Sequence, residues 1–126
     1  MTITAVQDWV FNRIEVRYPA GVNAQPVARV ELRHPVRDRV SDLATAPTAV
    51  QAAMLACCRI IGIEAEVTAM TVEWTLDKAP HATSRVTLRY QGRDVQASAS
   101  HDDVVPACVS AYVAGLNALA AAHADA

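Results

Sequence analysis

Residues 86–119 read VTLRYQGRDVQASASHDDVVPACVSAYVAGLNAL, and this stretch sets the expectations for the rest of the chain. Residues 83–90 carry β-branched and apolar residues at alternate positions, the pattern of a half-buried strand. Gln91-Gly92 suits a two-residue hairpin turn, because glycine tolerates the positive φ that hairpin twist demands. Residues 93–100 then return as the partner strand. Asp102 or Asp103 can cap the helix that follows over 103–122, its carboxylate accepting backbone N–H bonds and opposing the helix dipole. Pro106 falls in the first turn, where its missing N–H costs little. Val104, Ala107, Cys108, Ala111, Tyr112, Gly115, Leu116 and Leu119 mark an apolar stripe along that helix.

Working upstream, the same order recurs. Residues 11–18 (FNRIEVRY) and 27–34 (VARVELRH) alternate as strands, with Pro19, Gly21, Asn23 and Pro26 punctuating the loop between them. Pro35-Val36 makes a turn, and residues 37–44 form a weaker third strand. Pro47 suits a helix start, with Val50, Met54, Leu55, Cys58 and Ile61 at helical spacing over 48–61 and Gly62 as the left-handed C′ residue. Residues 63–76 open the second half with a long strand, and 77–81 form a loop. Trp9 and Phe11 belong to a lead-in that can dock on something apolar.

An offset of 56 residues places Arg29-Val30 on Arg85-Val86, Leu32-Arg33 on Leu88-Arg89 and Arg37-Asp38 on Arg93-Asp94, six identities in ten positions. It also places Ile14 and Val16 on Met70 and Val72, and runs without a gap through both helices. The expected fold is therefore α+β: one domain over 1–126, built from two βββα units, about 11–62 and 63–122, related by pseudo-twofold symmetry. Each unit has one apolar sheet face and one helix, so the two must pack together to close a core.

Composition narrows the function. A chain of 126 residues buries a real core without staples. With aromatics at only 5%, that core is filled by Val, Leu, Ile and Ala, which favours closely approaching elements and extensive subunit contact. Residues 1–62 hold seven Arg against five acids, and 63–126 hold four Lys or Arg against eight acids. Charges of +2 and −4 are too small for a nucleic-acid footprint, and no basic patch is interleaved with aromatics. Cys57, Cys58 and Cys108 lie on apolar helical patterns and read as small buried hydrophobes in a reducing compartment. No apolar run approaches the ~20 residues of a membrane span, and no leader is visible at the N-terminus. A cytoplasmic protein that engages neither membrane nor nucleic acid is expected, with no cofactor and no metal site.

The string from Ser84 to Leu119 resembles the end of the C-terminal regulatory domain of 2-isopropylmalate synthase, a domain that citramalate synthases share in similar form. Asp103-Val104-Val105, Ala107-Cys108, Ala111-Tyr112 and Gly115-Leu116-Asn117 stand where that family has Asp with two aliphatic residues, Ala-Ser, and Ala-Tyr-x-x-Ala-Leu-Asn. Residues 45–49 (TAPTA) stand where the family has a glycine-rich turn. The resemblance covers roughly residues 11–120. It implies a homodimer that binds an end-product amino acid near the subunit interface and signals to a catalytic barrel. Such a barrel takes about 250 residues and does not fit in 126. Ala46, and Ala97 or Ala99, replace loop glycines of the family, and Ala49 replaces an acid. These changes reshape the pocket that the resemblance implies.

The resemblance, with the two helix starts, nominates Ala46, Pro47, Thr48, Ala49, His101, Asp102, Asp103 and Ala107 as ligand-binding positions. The expected function is a stand-alone regulatory and dimerisation module for a small amino acid or 2-oxo acid, acting on a synthase-like catalytic partner. One alternative is a small enzyme that has repurposed the scaffold, with His101, Asp102 and Asp103 as its acid–base candidates. A plain capping cluster explains the same three residues, and a ligand-free dimerisation partner is the third reading. Arg29, Arg33, Arg85 and Arg89 sit on polar strand faces, as an anion site or as solvated charge. Trp74 and Tyr18 fall on matching repeat positions, as packing or interface residues. His34, His81 and His123 have no partner evident from sequence.

Overall fold

The computed structural model describes residues 9–76 and 79–124, and the side chains up to residue 122. Its elements are β1 (Val10–Arg17), β2 (Val27–His34), β3 (Asp38–Thr45), α1 (Ala49–Ile61), β4 (Glu66–Thr75), β5 (His81–Tyr90), β6 (Arg93–His101) and α2 (Val104–Ala124). They form two antiparallel three-stranded sheets, ordered β1-β2-β3 and β4-β5-β6, each followed by a helix. This is the expected α+β fold with a duplicated βββα arrangement. Asp77 and Lys78, from the expected 77–81 loop, and the side chain of His123 lie outside what is described, and His81 belongs to β5.

The duplication extends to an irregularity that sequence does not mark. The β1–β2 register skips Asn12, between Phe11↔Leu32 and Arg13↔Glu31. The β4–β5 register skips Thr68, between Val67↔Leu88 and Ala69↔Thr87. Asn12 and Thr68 are 56 residues apart, so each unit carries a β-bulge at the same place.

The gapless offset fails at the next hairpin. His34 pairs with Asp38 across a three-residue turn, whereas Tyr90 pairs with Arg93 across Gln91-Gly92. Both residues of the shorter turn have positive φ, 50° and 78°, as a type I′ turn requires. From there the offset is 55: Val30 pairs Asp42 where Val86 pairs Ala97, and Ala52 N donates to Thr48 O where Ala107 N donates to Asp103 O. The six buried residues of α1, Ala52, Ala53, Met54, Ala56, Cys57 and Ile60, correspond at that offset to six buried positions in α2, from Ala107 to Gly115. Arg37-Asp38 and Arg93-Asp94 match in sequence but are not structural equivalents, since Asp38 corresponds to Arg93.

Alternation decides the sheet faces. Ala28, Val30 and Leu32 of β2 and Ala82, Val86 and Leu88 of β5 are buried, while Arg29, Arg33, Arg85 and Arg89 between them face solvent. α1 packs on β2 and β3, whereas α2 packs on β5 and β6, on α1 and on β1. Contact with both sheets explains why Val109 and Val113, outside the expected stripe, are buried as well. Contrary to the expectation from sequence, residues 104–122 are long and apolar enough to cross a bilayer, but half of that helix is buried inside the fold. A central core helix has the same composition.

Gly115 lets α2 pack closely on β5: a Cβ there would stand 2.5 Å from Leu88 Cδ1. Trp9 docks at the other side of α2, only 5% exposed. Its backbone is clamped by Asn117, whose Oδ1 accepts from Trp9 N at 2.9 Å and whose Nδ2 donates to Trp9 O at 2.7 Å. The indole rests against the His34 ring, and the Arg37 guanidinium lies over it. His34 is buried and does have partners: its Nδ1 accepts from Val36 N and Arg37 N.

Candidate functional site

α1 presents two faces of different bulk. Its small residues Ala52, Ala53, Ala56 and Cys57 are fully buried, which lets the helix approach the sheet and α2 closely. Val50, Leu55 and Cys58, expected as part of the core stripe, are only partly buried. Together with Met54 they form one wall of a groove of about 530 Å³. The opposite wall is Val67 and Met70 of β4, with Glu64 and Ala65 from the connection, and Tyr112 of α2 reaches in as well. Thr48 and Gln51 stand at the groove's end, where α1 begins. Thr48 is the N-cap, its Oγ1 accepting from Gln51 N at 3.2 Å, so Pro47 precedes the helix instead of opening its first turn.

A short polar chain lies beneath the apolar walls. Tyr112 OH donates to Ala65 O at 3.3 Å, and Cys58 Sγ lies 2.8 Å from the same hydroxyl. The phenol has one proton, so when that proton serves Ala65 the thiol is the donor to Tyr112. Burial pushes both the Cys58 thiol and the Tyr112 hydroxyl above their usual pKa ranges. Both are neutral at pH 7. The groove therefore offers aliphatic and sulfur surface along its length, a neutral hydrogen-bonded pair beneath it, the N-terminus of α1 at one end and one carboxylate, Glu64, toward the other.

Of the positions nominated from sequence, Thr48 lines this groove. Ala46 packs partly buried on the core, Pro47 is exposed, Ala49 opens α1, and Ala107 is fully buried in α2. Asp103 caps α2, its Oδ1 accepting from Val104 N at 2.7 Å. His101 is the last residue of β6, with its ring edge-on to Phe11. His101 Nδ1 lies 2.6 Å from Asp102 Oδ1, but the geometry makes no hydrogen bond, and the Asp102 side chain is 83% exposed. Ala97 and Ala99 lie within β6, not in a loop, and are partly buried against the core. Among the described residues no cluster of three or more His, Cys, Asp or Glu is arranged to hold a metal.

Sequence reasoning missed Glu64, Ala65, Val67, Met70 and Tyr112 as lining. The signal available was the bulk asymmetry of α1, whose Val50, Met54, Leu55 and Cys58 lie on a different face from its buried alanines.

The apolar surface continues from the groove along β4. Val67, Met70, Val72, Trp74 and Leu76 are all at least 36% exposed. α1 spans 13 residues and α2 spans 21, and the contacts of neither extend substantially onto β4. The corresponding strand β1 is covered by α2, and its Ile14 and Val16 are partly buried.

The family description "LeuA allosteric (dimerisation) domain" matches residues 3–120. Among curated proteins, 2-isopropylmalate synthase of Microcystis aeruginosa is 35% identical over 107 residues, covering 82% of this chain and 20% of the relative. The 2-isopropylmalate synthase of Nostoc sp. is 32% identical over 111 residues, covering 85% of this chain and 20% of the relative. That of Trichodesmium erythraeum is 28% identical over 107 residues. The chain spans about a fifth of the length of the curated relatives it matches.

Proposed function

Because the chain belongs to the LeuA allosteric (dimerisation) domain family, we propose that it is a regulatory module that binds a small amino acid or 2-oxo acid and self-associates. The observation that carries the ligand reading is the α1–β4 groove. An α-carboxylate suits the N-terminal end of α1, where Thr48 and the helix dipole favour negative charge. A branched aliphatic side chain suits Val50, Met54, Leu55, Val67 and Met70. A volume of about 530 Å³ is in the range of small-molecule sites.

The exposed β4 face supports self-association. A run of five large apolar side chains joined to the groove is the kind of surface that soluble proteins cover. A twofold contact between two β4 faces buries it in both copies at once. Groove and interface are then continuous, so a ligand in the groove alters the contact, and the dimer passes that change to a synthase-like catalytic partner. A cytoplasmic location fits three cysteines that are all unpaired.

Thermal-shift titration with leucine, isoleucine, valine and their 2-oxo acids tests the ligand. One of them at a hundred times its Kd stabilises by about 2.7 kcal/mol. No stabilisation by any of the six would overturn the ligand reading. Light scattering tests self-association: a dimer is expected, with Val72→Asp/Trp74→Asp giving a monomer. A monomeric parent protein would remove the interface.

A further inference from the structure

The outer face of the second sheet holds a cavity that shares only Met70 with the lining of the groove. In β5, Ser84, Val86 and Leu88 point into the core, so Thr83, Arg85, Thr87 and Arg89 point outward. The strand register sets Thr71 of β4 and Ser98 of β6 opposite Arg85, and Ala69 and Gln96 opposite Thr87. Directly opposed residues have Cβ atoms about 4.5–5.5 Å apart. Two hydroxyls thus flank the Arg85 guanidinium, with a third hydroxyl and an amide one pair along. These side chains wall a concavity of about 410 Å³, with the bulge at Thr68 beside it on the edge strand.

The repeat supplies an internal comparison. At the established offsets Arg85 corresponds to Arg29, Thr71 to Glu15 and Ser98 to Leu43. The register sets Glu15 and Leu43 on either side of Arg29, and the cavity there is only about 130 Å³. The first sheet therefore puts a carboxylate and an aliphatic chain beside its arginine, where the second puts two hydroxyls and a larger space. Arg89, next along β5, is already engaged by Asp94 at 2.9 Å. Arg85 makes no ion pair among the described residues. Glu73, the nearest outward acid on β4, pairs with Thr83 in the register and does not line the cavity.

We propose that the outer face of β4-β5-β6 binds an oxyanion, the phosphate or carboxylate end of a small molecule. Arg85 supplies the charge and Thr71, Thr87, Ser98 and Gln96 the neutral hydrogen-bond donors. The guanidinium fork matches both oxyanions, and hydroxyls and a side-chain amide serve the remaining oxygens. This site stands apart from the proposed amino-acid groove, and either can fail without the other.

The test is amide chemical-shift titration of the ¹⁵N-labelled protein with inorganic phosphate and, separately, acetate, each against sodium chloride of equal ionic strength. Saturable shifts confined to residues 69–71, 85–87 and 96–98 are expected. A phosphate-only response names a phosphate ester, and an acetate-only response names a carboxylate. Arg85→Gln, at an exposed position, should keep the dispersed spectrum and weaken binding at least tenfold. Thr71→Glu, which restores the first sheet's residue, should abolish it, and Arg29→Gln should leave it unchanged. Shifts that fail to saturate with either anion, or that survive Arg85→Gln, would overturn the site.

Discussion

Replacing Asn117 by alanine measures how Trp9 is held against α2. The side-chain amide makes two hydrogen bonds to one residue's backbone, at 2.9 and 2.7 Å. At about 0.5–1.5 kcal/mol each, their loss costs about 1–3 kcal/mol, near the upper end because Trp9 N–H and C=O stay in a partly buried place. Opposing release is the burial of the indole. Some 150–250 Å² at about 25 cal/mol per Å² is worth roughly 4–6 kcal/mol, less about 2–3 for fixing one backbone position and its side chain. What remains is the same size as the loss. Asn117→Ala should therefore release Trp9 in a substantial fraction of molecules instead of unfolding the domain.

The chain has two tryptophans, so a Trp74→Phe background isolates Trp9 emission. The expected result is a partial red shift with iodide quenching, and faster amide exchange along β1 but not β5. Global stability falls by about 1–3 kcal/mol, the most that undocking one residue can contribute. Asn117→Asp keeps the acceptor and loses the donor, so it should fall between parent and alanine variant. An unshifted, unquenched emission with an unchanged denaturation midpoint would show that the clamp does not hold Trp9.

Three further outcomes follow from the same structure. Tyr112→Phe leaves the Cys58 thiol and Ala65 carbonyl short of a partner and should cost about 1–2 kcal/mol in urea denaturation; Cys58→Ala should then cost less in that background than in the parent, and strict additivity would refute the coupling. Gly115→Ala gains about 1 kcal/mol of helix propensity but drives a methyl into Leu88, at about 1–3 kcal/mol, so a net loss near 1 kcal/mol is expected. Adding Leu88→Ala should make the pair less destabilised than the sum of the two singles. Finally, the Arg89 hydrogen bond and charge hold the Asp94 carboxyl below its usual range. A lowered folded-state pKa means the unfolded chain binds the proton more readily, so this small, solvent-screened contribution is present above about pH 4 and fades as the pH falls further. Asp94→Asn should flatten that part of the acid stability curve, and an unchanged curve would show the pair contributes nothing.

Much of this molecule is written locally. Gly62 closes α1 in the left-handed conformation with its N–H on Cys58 O, and Gln91-Gly92 turns with both φ positive, because those residues meet demands set within a few positions. The strands of β2 and β5 are legible for a similar reason: alternation reports directly which side of a pleat is wet. The candidate groove was legible only in part. Thr48 was evident as a helix-start residue, but which face of α1 turns inward depends on how closely alanines let it approach its neighbours. Tyr112 reaches the groove from another helix, so no spacing in the sequence announces it.

The sequence by itself determined two βββα units, their order, their turns and the family they resemble, because period, capping and turn chemistry are short-range. Only the tertiary structure decided the rest. It showed that the repeat slips by one residue at the hairpin, since a three-residue and a two-residue turn feed equally alternating strands. It placed α2 between both sheets, where a helix apolar on every side can be satisfied. It also left β4 uncovered beside α1, opening the groove along one face of the sheet, and set Thr71 and Ser98 around Arg85 on the other. Those are consequences of which surfaces meet across the fold, and residues far apart in the chain carry no local mark of meeting.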